Sequence, residues 1–350
     1  MIITRNINNP IITPKDIKPS FEGMKVIGAF NPGAIKYNNE TLLLIRVAEK
    51  FFSNDKNRIG VPILDLKKKD IIIKYFDAFD SKIDYSDPRF IKTEDKLYLT
   101  SISHFRLAKS KDGINFNIDQ NHFMTPTESY EEYGIEDPRI VKIEGMYYIT
   151  YSAISRNGVV TALAKTNDFK KVEKLGIIFL PDNKDVVIFP EKINGSYYAI
   201  NRPVSAYFQT PEMWISKSKD LLSYSNHQLL CSLRKDNLDS ARIGASCIPF
   251  LTEEGWIEIY HGADKNNVYK VGVLLLDKDD PSKILYRSEE PLIEPEKDYE
   301  KVGFLPNVIF PCGLTQEEGV INLYYGNADE NICLLTFNLK DLLKKIRNEE

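Results

Sequence analysis

The chain has 350 residues and a formal net charge of -4, with 46 Lys and Arg residues against 50 Asp and Glu residues. A hydrophobic fraction of 43% and a charged fraction of 27% are ordinary for a folded domain and exclude a disordered or fibrous protein. The balanced charge gives no reason to expect a nucleic acid or an anionic membrane as partner, and no apolar run approaches the ~20 residues that span a bilayer.

The N-terminal segment Met1–Arg5 lacks the apolar stretch and the small-residue cleavage site of a signal peptide, so we expect a cytoplasmic protein. The four cysteines form no C-x-x-C pair and lie in apolar stretches, which indicates core thiols, neither disulfides nor a zinc site. The cysteines are Cys231, Cys247, Cys312 and Cys333. His104, His122 and His227 are isolated from other ligand-type residues, so we predict no essential metal.

A repeat anchored on proline organises the chain. The anchors are Pro32, Pro88, Pro138, Pro190, Pro249 and Pro311, which are 50 to 62 residues apart. Each anchor precedes an apolar or tyrosine-rich run that is typical of a β-strand, such as Met146–Thr150. A repeat of this length supplies one four-stranded sheet per copy and predicts an all-β fold, a β-propeller. Six anchors are compatible with six blades, or with five blades in which the two ends of the chain share one.

A second marker follows three of the copies. Ala108–Gly113, Ala164–Phe169 and Ser216–Leu221 share the pattern of a strand that runs into a polar turn. Helical periodicity is confined to Leu339–Leu343, so we predict a short C-terminal helix. We expect residues 1–350 to form a single propeller domain. A pair of β-sandwiches is the alternative, but it leaves the regular spacing of the anchors unexplained.

Polar residues at the anchors indicate where a site would lie, because the innermost strands of a propeller converge on a central channel. They are Asn31, Asp87, Arg89, Glu136, Asp137, Arg139 and Glu191. Asp87 and Arg89 could neutralise each other as a structural ion pair. Glu136 and Asp137 point to opposite faces of a regular strand, so that Arg139 cannot readily neutralise both. A carboxyl group with a raised pKa at a cleft mouth is what a glycosidic general acid needs.

Five motifs occur in a fixed order between residues 7 and 335. They are Phe30–Gly33, Leu44–Glu49, Gly134–Arg139, Asn183–Ile193 and Tyr260–Ala263. Together they resemble glycoside hydrolase family 130, the family of β-mannoside phosphorylases with some β-mannosidases. This resemblance implies a five-bladed propeller and so favours five blades over six. The segments Asn9–Pro14 and Val26–Asn31 are most similar to the branch that acts on β-1,2-linked mannobiose and related oligomannosides.

The resemblance implies that Asp137 is the single general acid, which protonates the glycosidic oxygen, in some members through a hydroxyl group of the mannose. Phosphate then attacks the anomeric carbon from the opposite face and gives α-mannose 1-phosphate, with inorganic phosphate as co-substrate and no cofactor. The candidate substrate-binding residues are Asn31, Arg46, Asp87, Arg89, Glu136 and Asp329. Of these, Asn31, Arg46 and Asp329 match positions of sugar contacts in the family.

The nucleophile separates a phosphorylase from a hydrolase. An inverting hydrolase needs a second carboxylate to activate water, for which Glu136 and Glu191 stay open. A phosphorylase needs cations, because water at ~55 M outnumbers millimolar phosphate about ten-thousand-fold, worth roughly 5.5 kcal/mol. The candidate phosphate-binding residues are Lys184, Arg202, Arg242 and His261. The last three match family positions, although each has a structural alternative, such as a strand-end ion pair for Arg202.

The chain departs from the family pattern at one position. Asn201 precedes Arg202, where the family pattern has a histidine, so the sequence leaves the exact linkage and the acceptor preference open. We predict β-mannosides and inorganic phosphate as partners, and a homo-oligomer is compatible with the sequence. The alternatives are a β-1,2-mannosidase, a β-1,4-mannosyl phosphorylase and, more remotely, a carbohydrate-binding propeller without catalytic activity.

Overall fold

The computed structural model describes residues 1–205 and 207–348. The strands in chain order are β1 (Thr4–Arg5), β2 (Met24–Tyr37), β3 (Glu40–Phe51), β4 (Arg58–Asp65), β5 (Asp70–Asp77), β6 (Phe90–Lys92), β7 (Leu97–Leu99), β8 (Ser101–Ser110), β9 (Asn117–Ile118), β10 (Gly134–Ile143), β11 (Met146–Ser155), β12 (Gly158–Thr166), β13 (Glu173–Phe179), β14 (Asn183–Ile188), β15 (Tyr197–Pro203), β16 (Met213–Ser218), β17 (Tyr224–Cys231), β18 (Arg242–Ala245), β19 (Phe250–Leu251), β20 (Trp256–Ala263), β21 (Tyr269–Leu276), β22 (Ile284–Arg287), β23 (Ile309–Glu317), β24 (Val320–Asn327) and β25 (Asn331–Asn338). Two α-helices, α1 (Asp298–Lys301) and α2 (Leu339–Ile346), and two 3-10 turns at Pro14–Asp16 and Ser129–Glu131 complete the described elements.

Most strands belong to five antiparallel groups, which we call M1 to M5. M1 contains β2, β3, β8 and β9, M2 contains β10 to β13, M3 contains β14 to β17, M4 contains β18 to β22, and M5 contains β23 to β25 with β1. M1 and M2 join into one sheet because Gly134 of β10 pairs in parallel with Ser103 of β8. The predicted all-β fold class is therefore confirmed.

M5 takes its outermost strand from the other end of the sequence. Thr4 and Arg5 of β1 pair with Thr336 and Leu335 of β25. The guanidinium group of Arg5 also forms an ion pair of 2.8 Å with the buried carboxylate of Glu300. This arrangement holds residues from both ends of the chain in one sheet.

M2 is built around an equivalent buried carboxylate. Glu131 accepts a hydrogen bond of 2.8 Å from the hydroxyl of Tyr151 in the second strand and pairs with Lys174 in the outermost strand. In M5 the hydroxyl of Tyr325 donates to Glu300 at 2.7 Å. Arg5 of β1 pairs with Glu300 in the same way as Lys174 pairs with Glu131 in M2. The N-terminal strand thus occupies the position in M5 that β13 occupies in M2.

An insertion of two hairpins lies between β3 and β8. Strands β4 and β5 form one hairpin, and β6 and β7 form the other. The insertion packs on Tyr133, which is buried and donates a hydrogen bond of 2.6 Å to the carbonyl oxygen of Leu97. Pro88 lies in this insertion, whereas the other five anchors lie in, or within four residues of, the first strand of each group. Pro88 therefore marks a local turn of the insertion and does not begin a group of its own.

Three of the anchor prolines lie at β-bulges. Pro32 and Pro138 fall within register shifts of the first strands of M1 and M2, and Pro311 borders the register shift in the first strand of M5. Proline has no N–H group to donate to a sheet ladder, so inside a strand it is accommodated at such bulges. Asn31 and Asp137, which precede two of these prolines, have φ values of 46° and 51° in the left-handed region, which Asn and Asp tolerate best among residues other than glycine. The proline pattern thus marks where the first strands bend.

The second marker is also confirmed as strand and turn. The side-chain oxygens of Ser110, Thr166 and Ser218 each accept a hydrogen bond from the backbone N–H three residues later, at 2.9, 3.0 and 3.0 Å. The predicted C-terminal helix is present as α2, with Asn338 as its N-cap. All four cysteines are buried and unpaired, as predicted.

The described part of the chain contains neither a membrane-spanning helix nor a cluster of metal-binding side chains. No helix in residues 1–205 and 207–348 is long and apolar enough to cross a membrane. The same residues hold no group of three or more His, Cys, Asp or Glu side chains that is placed to bind a metal ion.

Candidate active site

Asp137 lies in a buried group of polar side chains from M1 and M2. One of its carboxylate oxygens accepts hydrogen bonds from Asn31 Nδ2 at 2.8 Å and from an Arg46 guanidinium nitrogen at 2.9 Å. The other terminal nitrogen of Arg46 lies 2.6 Å from an oxygen of Glu136. The expectation that Glu136 and Asp137 face opposite sides of the strand is therefore wrong. The bulge in β10 turns the two carboxylates toward the same guanidinium group.

Burial and charge act differently on the three carboxyl groups near Arg46. Burial alone would raise the pKa of Asp137, but Arg46 and Arg139 bring that pKa below its ordinary value. Burial and the neighbouring Asp137 raise the pKa of Glu136 despite the same Arg46. Burial raises the pKa of Asp329 to about 6, and the charges of Asp137 and Glu136 act in the same direction. The site therefore holds one carboxyl group whose pKa is lowered and two whose pKa values are raised.

Lys184 belongs electrostatically to this acidic group. Its charge contributes to the low pKa of Asp137. It also opposes the rise in the pKa values of Glu136 and Asp329 that burial causes. Within the residues that the structure describes, its ammonium group forms neither an ion pair nor a hydrogen bond. It lies at the start of β14 opposite Arg202 of β15, between the acidic group and the cationic cluster described next.

A second buried cluster is centred on Asp185. The carboxylate of Asp185 lies 2.7 Å from Arg202, 3.3 Å from Arg139 and 3.4 Å from Nε2 of His261. Burial would raise the pKa of Asp185, but Arg202 and His261 hold it well below the usual range. Burial lowers the pKa of His261 to about 4, so this imidazole is neutral at neutral pH. Arg139 also donates to the backbone oxygen of Asp137 at 3.0 Å and so joins the two clusters.

Arg242 extends the cationic side of the site. It donates to the hydroxyl of Tyr269 at 2.7 Å, and the Tyr269 ring stacks on His261 with 6.2 Å between centroids. The Nε atoms of Arg202 and Arg242 are buried and have no hydrogen-bond partner among residues 1–205 and 207–348. Buried unpaired donors are costly, so two of them in one cluster indicate a place for an anion.

Asp87 and Arg89 lie apart from these clusters. They form an ion pair of 2.7 Å with each other in the insertion, where their side chains are 27% and 58% exposed. In the described ranges neither forms a hydrogen bond or an ion pair with the Asp137 group. A structural ion pair thus accounts for the contacts of Asp87 and Arg89, and their part in substrate binding stays a prediction.

Two other residues that the sequence singled out are also explained. Glu191 is exposed and lies beyond the end of β14. Of the two carboxylates considered as a base for a hydrolase, Glu136 is therefore the one that shares Arg46 with Asp137. Asn201 is buried and bonds to Asn183 and Ser216 at 3.0 Å each. The side chain of Asn201 therefore links β14 and β16 inside M3.

Sequence reasoning did not assign site roles to Arg139, Asp185 and Ser246. Asp185 follows Lys184 directly and precedes an apolar run. A charged residue directly before an apolar strand was the feature of the sequence that could have indicated a site role for Asp185. The carbonyl oxygen of Ser246 accepts a hydrogen bond of 3.3 Å from Arg139, and its hydroxyl lies 3.0 Å from Nδ1 of His261. Ser246 offered no sign in the sequence, because both partners come from other strands.

The raised pKa of Asp329 has a measurable consequence for stability. A carboxyl whose pKa is about 6 in the folded protein, above the ordinary 3.8, lowers the free energy of unfolding as the pH rises from about 4 to about 6. This cost is complete above pH 6 and absent below about pH 4. Asp329→Asn should therefore raise the melting temperature at pH 7.5 but have little effect at pH 4. The backbone tolerates asparagine, because φ is 55° there. Thermal unfolding at both pH values measures the difference, and an equal shift at both would contradict this origin.

Two neighbouring carboxyl groups whose surroundings shift their pKa values in opposite directions, here Glu136 and Asp137, are typical of enzymes that cleave glycosidic bonds. Residues 100–348 match the family model of glycoside hydrolase family 130, described as β-1,4-mannooligosaccharide phosphorylase. The chain is 44% identical over 353 aligned residues to a β-1,2-mannobiose phosphorylase of Listeria innocua, covering 100% of this chain and 99% of that protein. The chain belongs to family 130, and the resemblance predicted from its motifs is confirmed.

Two further comparisons agree. A 1,2-β-oligomannan phosphorylase of Thermoanaerobacter is 40% identical over 244 residues, covering 69% of this chain and 80% of that protein. The solved structure of the β-1,2-mannobiose phosphorylase of Listeria innocua in complex with β-1,2-mannobiose superimposes with a TM-score of 0.94 at 44% identity, with complete coverage of both chains.

Proposed function

We propose that this protein is an inverting phosphorylase that cleaves β-1,2-linked mannobiose and short mannooligosaccharides with inorganic phosphate. The products are α-mannose 1-phosphate and the shortened sugar. Similarity over the whole chain to a β-1,2-mannobiose phosphorylase supports the linkage. The observation that carries the phosphorylase assignment is the pair of buried, unpaired Nε–H donors on Arg202 and Arg242.

We propose that M1 to M5 are the five blades of a single propeller domain formed by residues 1–350. The topology supports this, because each group consists of four or five antiparallel strands. The first strands of M1, M2, M3 and M4 contribute Asn31, Asp137, Asp185 and Arg242 to the site. In a propeller the innermost strands surround a central channel.

The roles follow from these positions. Asp137 is the general acid, and the carboxylate pair is held by Arg46. The mannose unit is bound by Asn31, Arg46, Glu136 and Asp329, with Asp87 and Arg89 as outer candidates. The phosphate is bound by Lys184, Arg202, Arg242 and His261. Because the Arg202 nitrogen that faces Asp185 is engaged, the Nε edge of its guanidinium group is free for a phosphate oxygen.

The reaction is balanced with these groups alone. A phosphate oxygen forms the new bond to the anomeric carbon while the glycosidic C–O bond breaks on the opposite face. Asp137 gives its proton to the departing oxygen, directly or through a mannose hydroxyl. The monohydrogen phosphate that attacked loses its proton on forming the ester dianion, and this proton restores the acid. No second carboxylate is needed, because phosphate is itself the nucleophile.

Incubation with β-1,2-mannobiose, with and without inorganic phosphate, tests this function. We expect mannose 1-phosphate and mannose in equal amounts, and only when phosphate is present. Release of free mannose that does not depend on phosphate would make the protein a hydrolase, with Glu136 as the candidate base. Turnover of β-1,4-linked mannobiose in place of the β-1,2-linked sugar would contradict the proposed specificity for the β-1,2 linkage. Binding without any turnover would favour a carbohydrate-binding propeller.

A further inference from the structure

Asp185 keeps one of its two carboxylate oxygens without a hydrogen bond. Oδ1 accepts a hydrogen bond of 3.3 Å from Arg139. Oδ2 forms an ion pair of 2.7 Å with Arg202, but it is buried and accepts no hydrogen bond within residues 1–205 and 207–348. The nitrogen of Arg202 nearest to Oδ2 donates to Nε2 of His261 at 3.2 Å. Because a buried charged oxygen without a donor is costly, Oδ2 indicates a ligand that brings a hydrogen.

No side chain covers Oδ2 on the side of β18. A Cβ atom on Gly244 would lie 2.7 Å from Oδ2, so this close approach of Asp185 to the strand requires glycine. Arg242 lies two residues before Gly244 and therefore on the same face of β18, about 7 Å away at ~3.3 Å per residue. The unpartnered acceptor of Asp185 and the guanidinium group of Arg242 thus flank the same stretch of β18.

Two unpartnered donors complete this set of atoms. Nε of Arg202 belongs to the guanidinium group whose terminal nitrogen lies 2.7 Å from Oδ2, so Nε and Oδ2 are neighbours. Nε of Arg242 is the second donor. The cluster therefore offers a ligand two N–H donors and one negatively charged acceptor. A tetrahedral anion that carries one hydroxyl group matches all three atoms, whereas an anion without a hydroxyl group would be repelled by Oδ2.

We propose that Asp185 makes the anion site selective for monohydrogen phosphate, because Oδ2 accepts the hydrogen of the P–OH group while Arg202 and Arg242 bind two other oxygens. This rests on the proposed function, since it specifies the form of phosphate that the same site binds. The fourth oxygen carries no hydrogen and remains for the anomeric carbon. The arsenate dianion also has a hydroxyl group, whereas the dianions of sulfate and fluorophosphate have none.

Asp185 can accept this hydrogen because it is ionised. Burial would raise its pKa, but Arg202 and His261 hold the pKa well below its usual range. A hydrogen bond to an ionised acceptor is roughly twice as strong as one between neutral groups. The three arginines of the cluster outnumber its one carboxylate, so the site still attracts a dianion. They are Arg139, Arg202 and Arg242.

Calorimetric titration of the wild-type protein with four dianions above neutral pH tests the proposal. Phosphate, arsenate, sulfate and fluorophosphate then have the same charge and nearly the same shape, so the hydroxyl group separates the first two from the last two. We expect the Kd values of phosphate and arsenate to agree within about threefold, and sulfate and fluorophosphate to bind at least about tenfold more weakly. Equal affinity for all four dianions, or no binding of phosphate, would overturn the proposal.

The titration needs no turnover, so its outcome is separate from that of the phosphorolysis assay. A protein that distinguishes the dianions in this way but forms no mannose 1-phosphate would contradict the proposed function and leave the selectivity of the anion site standing. A protein that carries out phosphorolysis but binds sulfate as tightly as phosphate would contradict only the part assigned to Asp185.

Asp185→Asn should remove the selectivity. Asparagine has nearly the same shape, and its amide can donate an N–H to a bare oxygen, so the Kd of sulfate divided by that of phosphate should fall at least about tenfold. Asp239→Asn is the matched control, because Asp239 is also fully buried and pairs with two arginines, Arg234 at 2.9 Å and Arg287 at 2.7 Å. It should lower the melting temperature and leave the ratio unchanged.

A ratio that stays the same in Asp185→Asn, or changes equally in both variants, would show that Asp185 only holds the arginines in place. If Asp185→Asn fails to fold, the titration of the wild-type protein with the four dianions decides by itself.

Discussion

Asp137→Asn should lower the rate of phosphorolysis of β-1,2-mannobiose by on the order of 10²-fold or more, while mannobiose still binds. Asparagine has nearly the same shape and its oxygen can accept from Asn31 and Arg46, so the sugar site is preserved. It has no proton to give to the departing oxygen. The rate of mannose 1-phosphate release measures the loss, and calorimetric titration with mannobiose measures binding.

A substrate with a better leaving group separates proton transfer from other effects of this substitution. An aryl β-mannoside whose phenol is acidic leaves without protonation, so Asp137→Asn should turn it over at close to the wild-type rate. Equal losses on both substrates would show that Asp137 does not act as the general acid. Near-normal turnover of mannobiose would also exclude that role.

The charges around Asp137 explain why the bound sugar matters for the acid. In the free protein, burial raises the pKa of Asp137, but Arg46 and Arg139 outweigh it and the pKa is below the ordinary value. A bound mannose unit replaces water beside the carboxylate and increases its desolvation, which raises the pKa again. Protonation of Asp137 is therefore expected to accompany substrate binding, and the rate should fall as the pH rises.

Arg202→Ala should raise the KM for phosphate about 10²-fold, because it removes two charge-assisted hydrogen bonds of roughly 1.5 kcal/mol each from the anion site. Asp185 keeps its contact of 3.3 Å with Arg139, so the buried carboxylate is not left alone. The KM for mannobiose should change little. Initial rates over a range of phosphate concentrations measure both constants.

Arg234→Ala is the control for this substitution. Arg234 forms an ion pair of 2.9 Å with the buried Asp239 in the segment between β17 and β18, so its removal also disturbs a buried pair. It should lower the melting temperature without changing the KM for phosphate. If Arg202→Ala leaves the phosphate dependence unchanged, Arg202 does not belong to the anion site.

The sequence predicts this protein best where the decisive feature is local. The anchor prolines are recognisable because a bulge tolerates proline, and Pro32 and Pro138 locate Asn31 and Asp137 in the two first strands. The same local rule misleads at Pro88, where an Asp-Pro-Arg turn occurs in the insertion between β5 and β6. It also fails for Glu136, because strand alternation does not hold across a bulge.

The contacts that complete the site could not be predicted in this way. Asp185 gathers Arg139, Arg202 and His261 from three other strands, and no spacing along the chain reveals that meeting. The placement of Ser246 between Arg139 and His261 has the same origin. Such contacts depend on how the sheets pack, which a single sequence does not specify at this level.

The pairing of β1 with β25 has a consequence for how the protein is made. Thr4 pairs with Thr336, so at ~5–20 residues per second the ribosome needs roughly 15 to 70 s to supply the partner strand. During this time Arg5 and Ile12, which later bonds to Ile332, are free to associate with the edge strand of another copy. A fusion partner attached ahead of Thr4 would therefore interfere with the last step of assembly, whereas one attached after α2 would leave that strand pair accessible.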